Sequence, residues 1–570
     1  MSGDKNGSER SLPGRSLSRP TLRAAVVRLL PSGIDYAGIS RTWRADVVAG
    51  VTVGVVALPL ALAFGVTTGL GAAAGIITAI VAGLVAGIFG GSDVQVSGPT
   101  GAMTVVLAPI VAQNGTEAVA VVGVMAGLLV IAAAFAGLGR YLAYVPWPVV
   151  EGFTVGIAAI IFLQQVPAAL GVTAGHGHNA AAVAIHALAD TGAGDPAAIV
   201  LALVVVAVMV ATPHIRRSLP ASLIAILVAT ATAELTDLEV TRIGTLPASL
   251  PAPSLPDIAG GQIRSLASAA LAVAVLAALE SLLSARVADG MTAARRHDPD
   301  RELLGQGLAN LAAPLFGGMP ATGAIARTAV NVRAGARSRL ATIVHALVLV
   351  GVVYFGAGLV ARIPLAALAG VLMVTAARMV EFHNVRAVTR ATRSDALVFA
   401  ATTAATIAVD LIVAIQIGLA IATLLALRSV ARATTATHQA LDDPDSTASE
   451  RLLDTGIISY RLDGALFFGA AQRFLTELTA VTDARVAILR LPDLQVLDAT
   501  GAQALGEIVA ELEARDITVL LKGVRPAHLR TLQAVGALDR LAHENHIFDD
   551  LDTAIAHART HTSRLTCPTG

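Results

Sequence analysis

Long apolar runs separated by short polar stretches fill the chain up to about residue 432. A helix crossing a bilayer needs roughly 20 apolar residues. Runs of that kind fall near residues 47–66, 71–90, 117–137, 147–166, 196–212, 218–234, 267–286, 302–316, 339–361, 363–380, 394–411 and 412–430. Two shorter apolar stretches, near 100–112 and 323–335, each follow an interruption rich in Gly and Pro. The first interruption reads Phe89-Gly90-Gly91 and then Pro99-Thr100-Gly101-Ala102-Met103. The second reads Phe316-Gly317-Gly318-Met319-Pro320-Ala321-Thr322-Gly323-Ala324-Ile325-Ala326-Arg327-Thr328. Each predicts an apolar helix ending at Phe-Gly-Gly, an unwound segment, and a new short helix opening at Thr-Gly-Ala. Interrupted hydrophobic segments at matching places in two halves point to the binding site of a repeat-built transporter.

Twelve long spans and two short ones make fourteen, so both chain ends lie on one side. Arginine placement gives the side. Arg140, Arg216, Arg217, Arg295, Arg296, Arg301, Arg333, Arg337, Arg339, Arg386, Arg390 and Arg393 fall on the side of the N-terminus, against Arg242, Arg264 and Arg362 opposite. Basic residues favour the cytoplasm, so both termini are expected there, in a multi-pass protein of the plasma (inner) membrane. Fourteen spans divide as seven plus seven, and an odd-numbered unit inserts its second copy upside down. The expected fold is therefore a polytopic α-helical membrane protein with a 7+7 inverted repeat. Residues 1–45 read as a cytosolic tail, 46–432 as the membrane domain, and 433–454, rich in Thr, Ala, Asp and Ser, as a linker. From residue 455 to 570 strands near 457–462, 486–489 and 517–521 alternate with helices near 470–480, 501–514, 526–535 and 549–559, which indicates a soluble α/β domain.

Composition agrees. The chain is 55% hydrophobic and only 14% charged, against about 25% charged in soluble proteins, and its mean hydropathy is +0.72. A net charge of zero argues against a nucleic-acid partner. The single cysteine, Cys567, excludes an intrachain disulfide and a Cys-based metal site. The soluble part shows no nucleophile–base set, phosphate-binding Gly loop or HxH-plus-acid site. His176-Gly-His178 reads as loop surface, so no enzyme, cofactor or metal is expected.

The candidate chemistry lies in the membrane. A helix N-terminus carries unpaired amides and about half a positive charge. Short helices opening at Thr100 and Thr322 and facing each other would make a pocket for a small anion. Gly98, Gly101 and Gly323 would let a ligand approach the backbone, with Thr100 and Thr322 as N-caps and hydroxyl donors. Arg327 sits about one turn into the second short helix. An intramembrane Arg costs at least about 2.5 kcal/mol, so instead of facing lipid it completes the anion site, pairs with a carboxylate or snorkels toward the cytoplasm. Glu280 ends a long apolar run and shares a helical face with Ser284. A carboxylate there is the candidate proton carrier, with a structural ion pair as the alternative. Glu151, Asp410, Gln164, Gln165 and His345 are secondary polar candidates.

Three runs carry a family resemblance. Residues 46–65, with Pro59 and Phe64; Val96-Ser97-Gly98-Pro99-Thr100-Gly101-Ala102; and Gly318 to Thr328 together resemble the SulP (sulfate permease) anion transporters. Asn331, Gly335, Ala336 and the stretch from Glu280 to Met291 fit as well. Residues 455–560, including Asp498-Ala499-Thr500-Gly501, look like the STAS domain that ends those proteins. The resemblance implies core and gate domains, alternating access, homodimers and a sulfate, bicarbonate or dicarboxylate substrate. It places Phe64, Ser97, Gly98, Thr100, Gly101, Ala102, Thr322, Gly323, Ala324, Ile325 and Arg327 around the anion. Sodium-coupled bicarbonate members have Asp where this chain has Glu280 and a hydroxyl residue where it has Ile325, so protons are the expected coupling ion. An uncoupled anion conductor or exchanger, or a membrane sensor signalling through the STAS domain, is the alternative. Thr500 is expected to cap the following helix or to be a regulatory phosphorylation site, and the domain to dock a cytosolic partner.

Overall fold

Closely packed apolar helices build the first part of the chain, as expected where every backbone group must be bonded within lipid. The computed structural model describes residues 29–140, 146–172, 180–189, 194–216, 219–246, 249–256, 260–292, 295–408, 414, 416–425, 435–438, 456–466, 484–543 and 545–563. The chain divides into two units, Met1–Leu419 and Ala420–Gly570. Eight helices among the described residues are long and apolar enough to cross a membrane. Several expected spans are shorter helices instead, among them Ala221–Leu235 and Arg393–Ala408.

The site is framed by six helices and two very short strands: α1 (Ile39–Thr67), α2 (Ala72–Phe89), β1 (Ser97–Gly98), α3 (Gly101–Asn114), α4 (Gly260–Met291), α5 (Pro299–Leu315), β2 (Thr322–Gly323) and α6 (Ile325–Arg333). Small residues let these helices approach closely. A Cβ on Gly54 of α1 would lie 2.8 Å from Val348 Cγ1, and one on Gly50 2.7 Å from Val344 Cβ. Asp46 of α1 is fully buried and accepts from the amides of Arg337 (2.7 Å) and Ser338 (3.0 Å) and from the hydroxyls of Ser338 and Thr42 (2.6 Å each). It pins the start of α1 to the loop after α6.

Two expectations need correction here. The run near 302–316 is part of α5, which is not uniformly apolar: Asp298 caps it, accepting from Asp300 N and Arg301 N, and Glu302, Gln306 and Asn310 are buried along it. The second short helix opens at Ile325 rather than at Thr322, because Thr322-Gly323 is spent on β2. Before α1, Asp35 accepts from Arg301 Nη1 (2.9 Å) and from the Ser32 amide (2.7 Å) and hydroxyl (3.0 Å). Burial raises its pKa, but the hydrogen bonds from Arg301 and Ser32 outweigh burial and hold it well below the usual carboxylate range.

The second unit is a largely parallel sheet. In order β3 (Thr435–His438), β4 (Ile457–Leu466), β5 (Val486–Arg490), β7 (Thr518–Lys522) and β8 (Ile547–Phe548) lie side by side, and β6 (Leu494–Leu497) pairs with β4. All pairs are parallel except β3 with β4. The strand β3 falls within the segment expected to be linker. Helices Ala499–Glu513, Pro526–Ala534 and α7 (Leu551–Ser563) match three of the expected ones. The fourth, near 470–480, lies outside the described residues. Asp498, not Thr500, caps the first of these helices, accepting from Gly501 N at 2.7 Å; Thr500 is exposed on its first turn. Near α7, burial first and then the neighbouring imidazoles of His561, His557 and His543 push the pKa of His546 down to about 4.

Candidate functional site

The two interruptions meet. Ser97 stands opposite Gly323 and Gly98 opposite Thr322 in an antiparallel pair, and Ala324 N donates to Val96 O at 2.8 Å. Extended backbone buried among membrane helices must find partners, and here each broken segment supplies them to the other. Side chains of α5 brace both segments. Glu302 accepts from Gly91 N and Ser92 N, Gln306 Nε2 donates to Ser97 Oγ at 2.6 Å, and Asn310 bonds both the amide and the carbonyl of Ala321 at 2.9 Å. Sequence reasoning missed these three residues. Their spacing of four along one run was the available signal, since it stacks them on a single helix face.

Glu280 of α4 faces this junction. Its Oε2 accepts from Thr100 Oγ1 at 2.8 Å and from Thr322 Oγ1 at 2.5 Å, so a single carboxylate oxygen holds a hydroxyl from each interruption. Thr100 also caps α3, its oxygen accepting from Met103 N at 3.4 Å while its proton goes to Glu280. Thr322 caps nothing. Ser284, expected to act with Glu280, bonds Thr328 Oγ1 at 3.1 Å; Ser281 is the neighbour that reaches the junction, accepting from Gly323 N at 2.9 Å.

Arg327 is buried and donates through Nη2 to the carbonyl of Pro99, while its Nη1 has no hydrogen-bond partner. The guanidinium lies over Gly98, where a Cβ would come 2.7 Å from Nη1 and where φ is +155°. This changes the meaning of the glycines. Gly98 makes room for Arg327, Gly101 for Ile161 and the ring of Phe64, and Gly323 for Gln95 and Ser281. None of the three is left bare for a ligand, because protein side chains already fill the space that each missing Cβ frees. Ala102 and Ala324 are buried beside them. Ile325 is 40% exposed and Ala326 is exposed next to it, so the first turn of α6 is open.

Among the secondary candidates, His345 is fully buried with neither ring nitrogen hydrogen-bonded, and Gln165 bonds Thr67 at 3.3 Å. Asp410, His176 and His178 lie outside the described residues.

A carboxylate, a cation and two hydroxyls gathered where two interrupted segments meet are the groups from which a transport site in a membrane protein is built. Residues 43–402 match the model of the sulfate permease family, and residues 452–554 match the STAS domain. The chain belongs to the sulfate permease family, a multi-pass membrane protein with a C-terminal STAS domain. It is 34% identical over 472 residues to the putative sulfate transporter YvdB of Bacillus subtilis, covering 81% of this chain and 88% of that one. It is 31% identical over 489 residues to the bicarbonate transporter BicA of Synechocystis sp., covering 82% and 86%. Its fold resembles murine Solute Carrier 26 family member A9, an anion transporter solved in the inward-facing state, with a TM-score of 0.83, 16% identity, and coverage of 98% and 100%.

Proposed function

We propose that this chain is a secondary active transporter of a small anion, coupled to protons through Glu280 and working by alternating access. The observation that carries this reading is the single Glu280 oxygen bonded to the hydroxyls of both Thr100 and Thr322. An anion arriving at those hydroxyls competes with an ionised Glu280 and is repelled by it. Protonation weakens the competition, ends the repulsion and leaves Arg327 as the uncompensated charge. Proton and anion binding therefore favour each other, by the same factor in each direction. Arg327 Nη1, the amides of Gly101 and Ala102 at the start of α3 and the first-turn amides of α6 are the remaining donors for the anion.

One titrating carboxylate delivers one proton. Each net negative charge moved into a cell with a negative interior costs about 2.3 kcal/mol per 100 mV. A monovalent anion such as bicarbonate or a hydrogen dicarboxylate enters electroneutrally with one proton, whereas sulfate does not. The relatives named for bicarbonate and for sulfate bracket this choice, and the charge argument favours the monovalent anion. The full assembly on this reading is a homodimer in the plasma membrane with fourteen spans and cytosolic termini. The STAS domain serves dimerisation or docking of a cytosolic partner, and Thr500 is an exposed position for regulation by phosphate.

The test is uptake of labelled bicarbonate, a small dicarboxylate and sulfate into proteoliposomes, with and without a pH gradient, acid outside. Uptake of a monovalent species accelerated by the gradient is expected. Uptake of every anion indifferent to the gradient would contradict proton coupling.

A further inference from the structure

The transport reading leaves one cluster of side chains unused. His546 stands immediately before β8, and His557 and His561 lie four residues apart on α7, on one helix face. The Nε2 atoms of His557 and His561 are 3.2 Å apart, and one ring nitrogen from each of the three histidines lies within 4.8 Å of the others. The His546 ring meets those of His557 and His561 at centroid distances of 5.4 and 5.3 Å. His546 is 1% exposed; the Val519 backbone lies near its ring, but neither ring nitrogen makes a hydrogen bond of ordinary geometry. A hydrogen bond between His557 and His561 accounts for that pair alone. It leaves His546 buried and unsatisfied, at a cost of about 1–3 kcal/mol for such a polar group.

Two nitrogens bound to one tetrahedral zinc ion, each at about 2.0–2.1 Å, stand roughly 3.3 Å apart. The His557–His561 spacing is already close to that value. We propose that His546, His557 and His561 form a binding site for a divalent transition-metal ion of the zinc class. Three imidazoles with no carboxylate among them suit zinc, nickel or copper and not magnesium or calcium. His557 and His561 are half-buried, so an ion has access. A water molecule is available for the fourth position. The bound ion ties α7 to the start of β8, so binding is coupled to the stability of this unit.

The experiment uses the full chain in detergent, carrying an affinity tag free of histidine, stripped with a chelator and dialysed against zinc chloride. About one zinc per chain is expected, together with the visible absorption of a tetrahedral cobalt(II) site when cobalt replaces zinc. His561→Gln is expected to weaken zinc binding at least about tenfold, and the double variant His557→Gln/His561→Gln to abolish it while keeping the elution profile of the parent. Absence of stoichiometric zinc in the parent chain overturns the proposal without recourse to any variant. Undiminished binding in a folded double variant overturns it equally.

Discussion

Replacing Glu280 with Gln keeps the length of the side chain and an acceptor oxygen for the Thr100 and Thr322 hydroxyls, which bond the native carboxylate at 2.8 and 2.5 Å. What the substitution removes is the titrating proton. Hydrogen bonds to a charged acceptor contribute about 1.5–3 kcal/mol each and neutral ones about half as much. The structural loss is therefore about 1.5–3 kcal/mol for the pair, too little to unfold a domain of this size. The functional loss is larger. A proton linked to anion binding makes the apparent affinity change tenfold per pH unit above the pKa of the linked group, equivalent to 1.36 kcal/mol per unit. Glu280→Gln is expected to flatten that dependence to less than about twofold per unit and to abolish accumulation driven by a pH gradient. Exchange of labelled for unlabelled anion at equal pH should persist, since it needs no net proton movement. The assay compares the two modes in proteoliposomes containing the purified variant. Native pH dependence of net uptake in Glu280→Gln would refute the reasoning.

Arg327→Lys keeps the charge but loses the planar fork that reaches Pro99; anion affinity should fall at least about tenfold in an equilibrium binding measurement, with the protein still monodisperse. Gly98→Ala forces a Cβ against Arg327 Nη1 at a φ of +155°, so it should mimic that loss; native affinity would show that Arg327 is not held through Gly98. Asp46→Ala leaves two amides and two hydroxyls without their acceptor and should destabilise the membrane unit by about 3 kcal/mol or more, read as a lowered unfolding midpoint in detergent. Asp35 has a folded pKa below its ordinary value of 3.8. Its stabilising contribution is present above that value and is lost as pH falls below it, so Asp35→Asn should blunt the acid-range decline in thermal stability.

The sequence made the interruptions legible because Gly and Pro at 89–91, 98–101 and 317–323 break apolar runs that would otherwise continue. Glu280 stood out for its depth and Thr100 as an N-cap. The antiparallel pairing of Ser97-Gly98 with Thr322-Gly323 joins segments more than two hundred residues apart, and two residues are too few to show a strand period. That pairing displaces the start of α6 to Ile325 and gives Thr322 to Glu280 instead of to a helix end. The role of each glycine also depended on what lies across from it: Arg327, Ile161 and Gln95 come from other elements, so spacing along the chain carried no signal of them. Likewise His546 is eleven residues from His557, and only the strand-to-helix return between β8 and α7 closes that distance.

Simultaneous recording of anion uptake, internal pH and membrane current in proteoliposomes tests proton coupling most directly. One proton is expected to enter with each monovalent anion, with no net current at any clamped potential. Anion entry without acidification of the lumen, or with inward negative current that scales with potential, would contradict it.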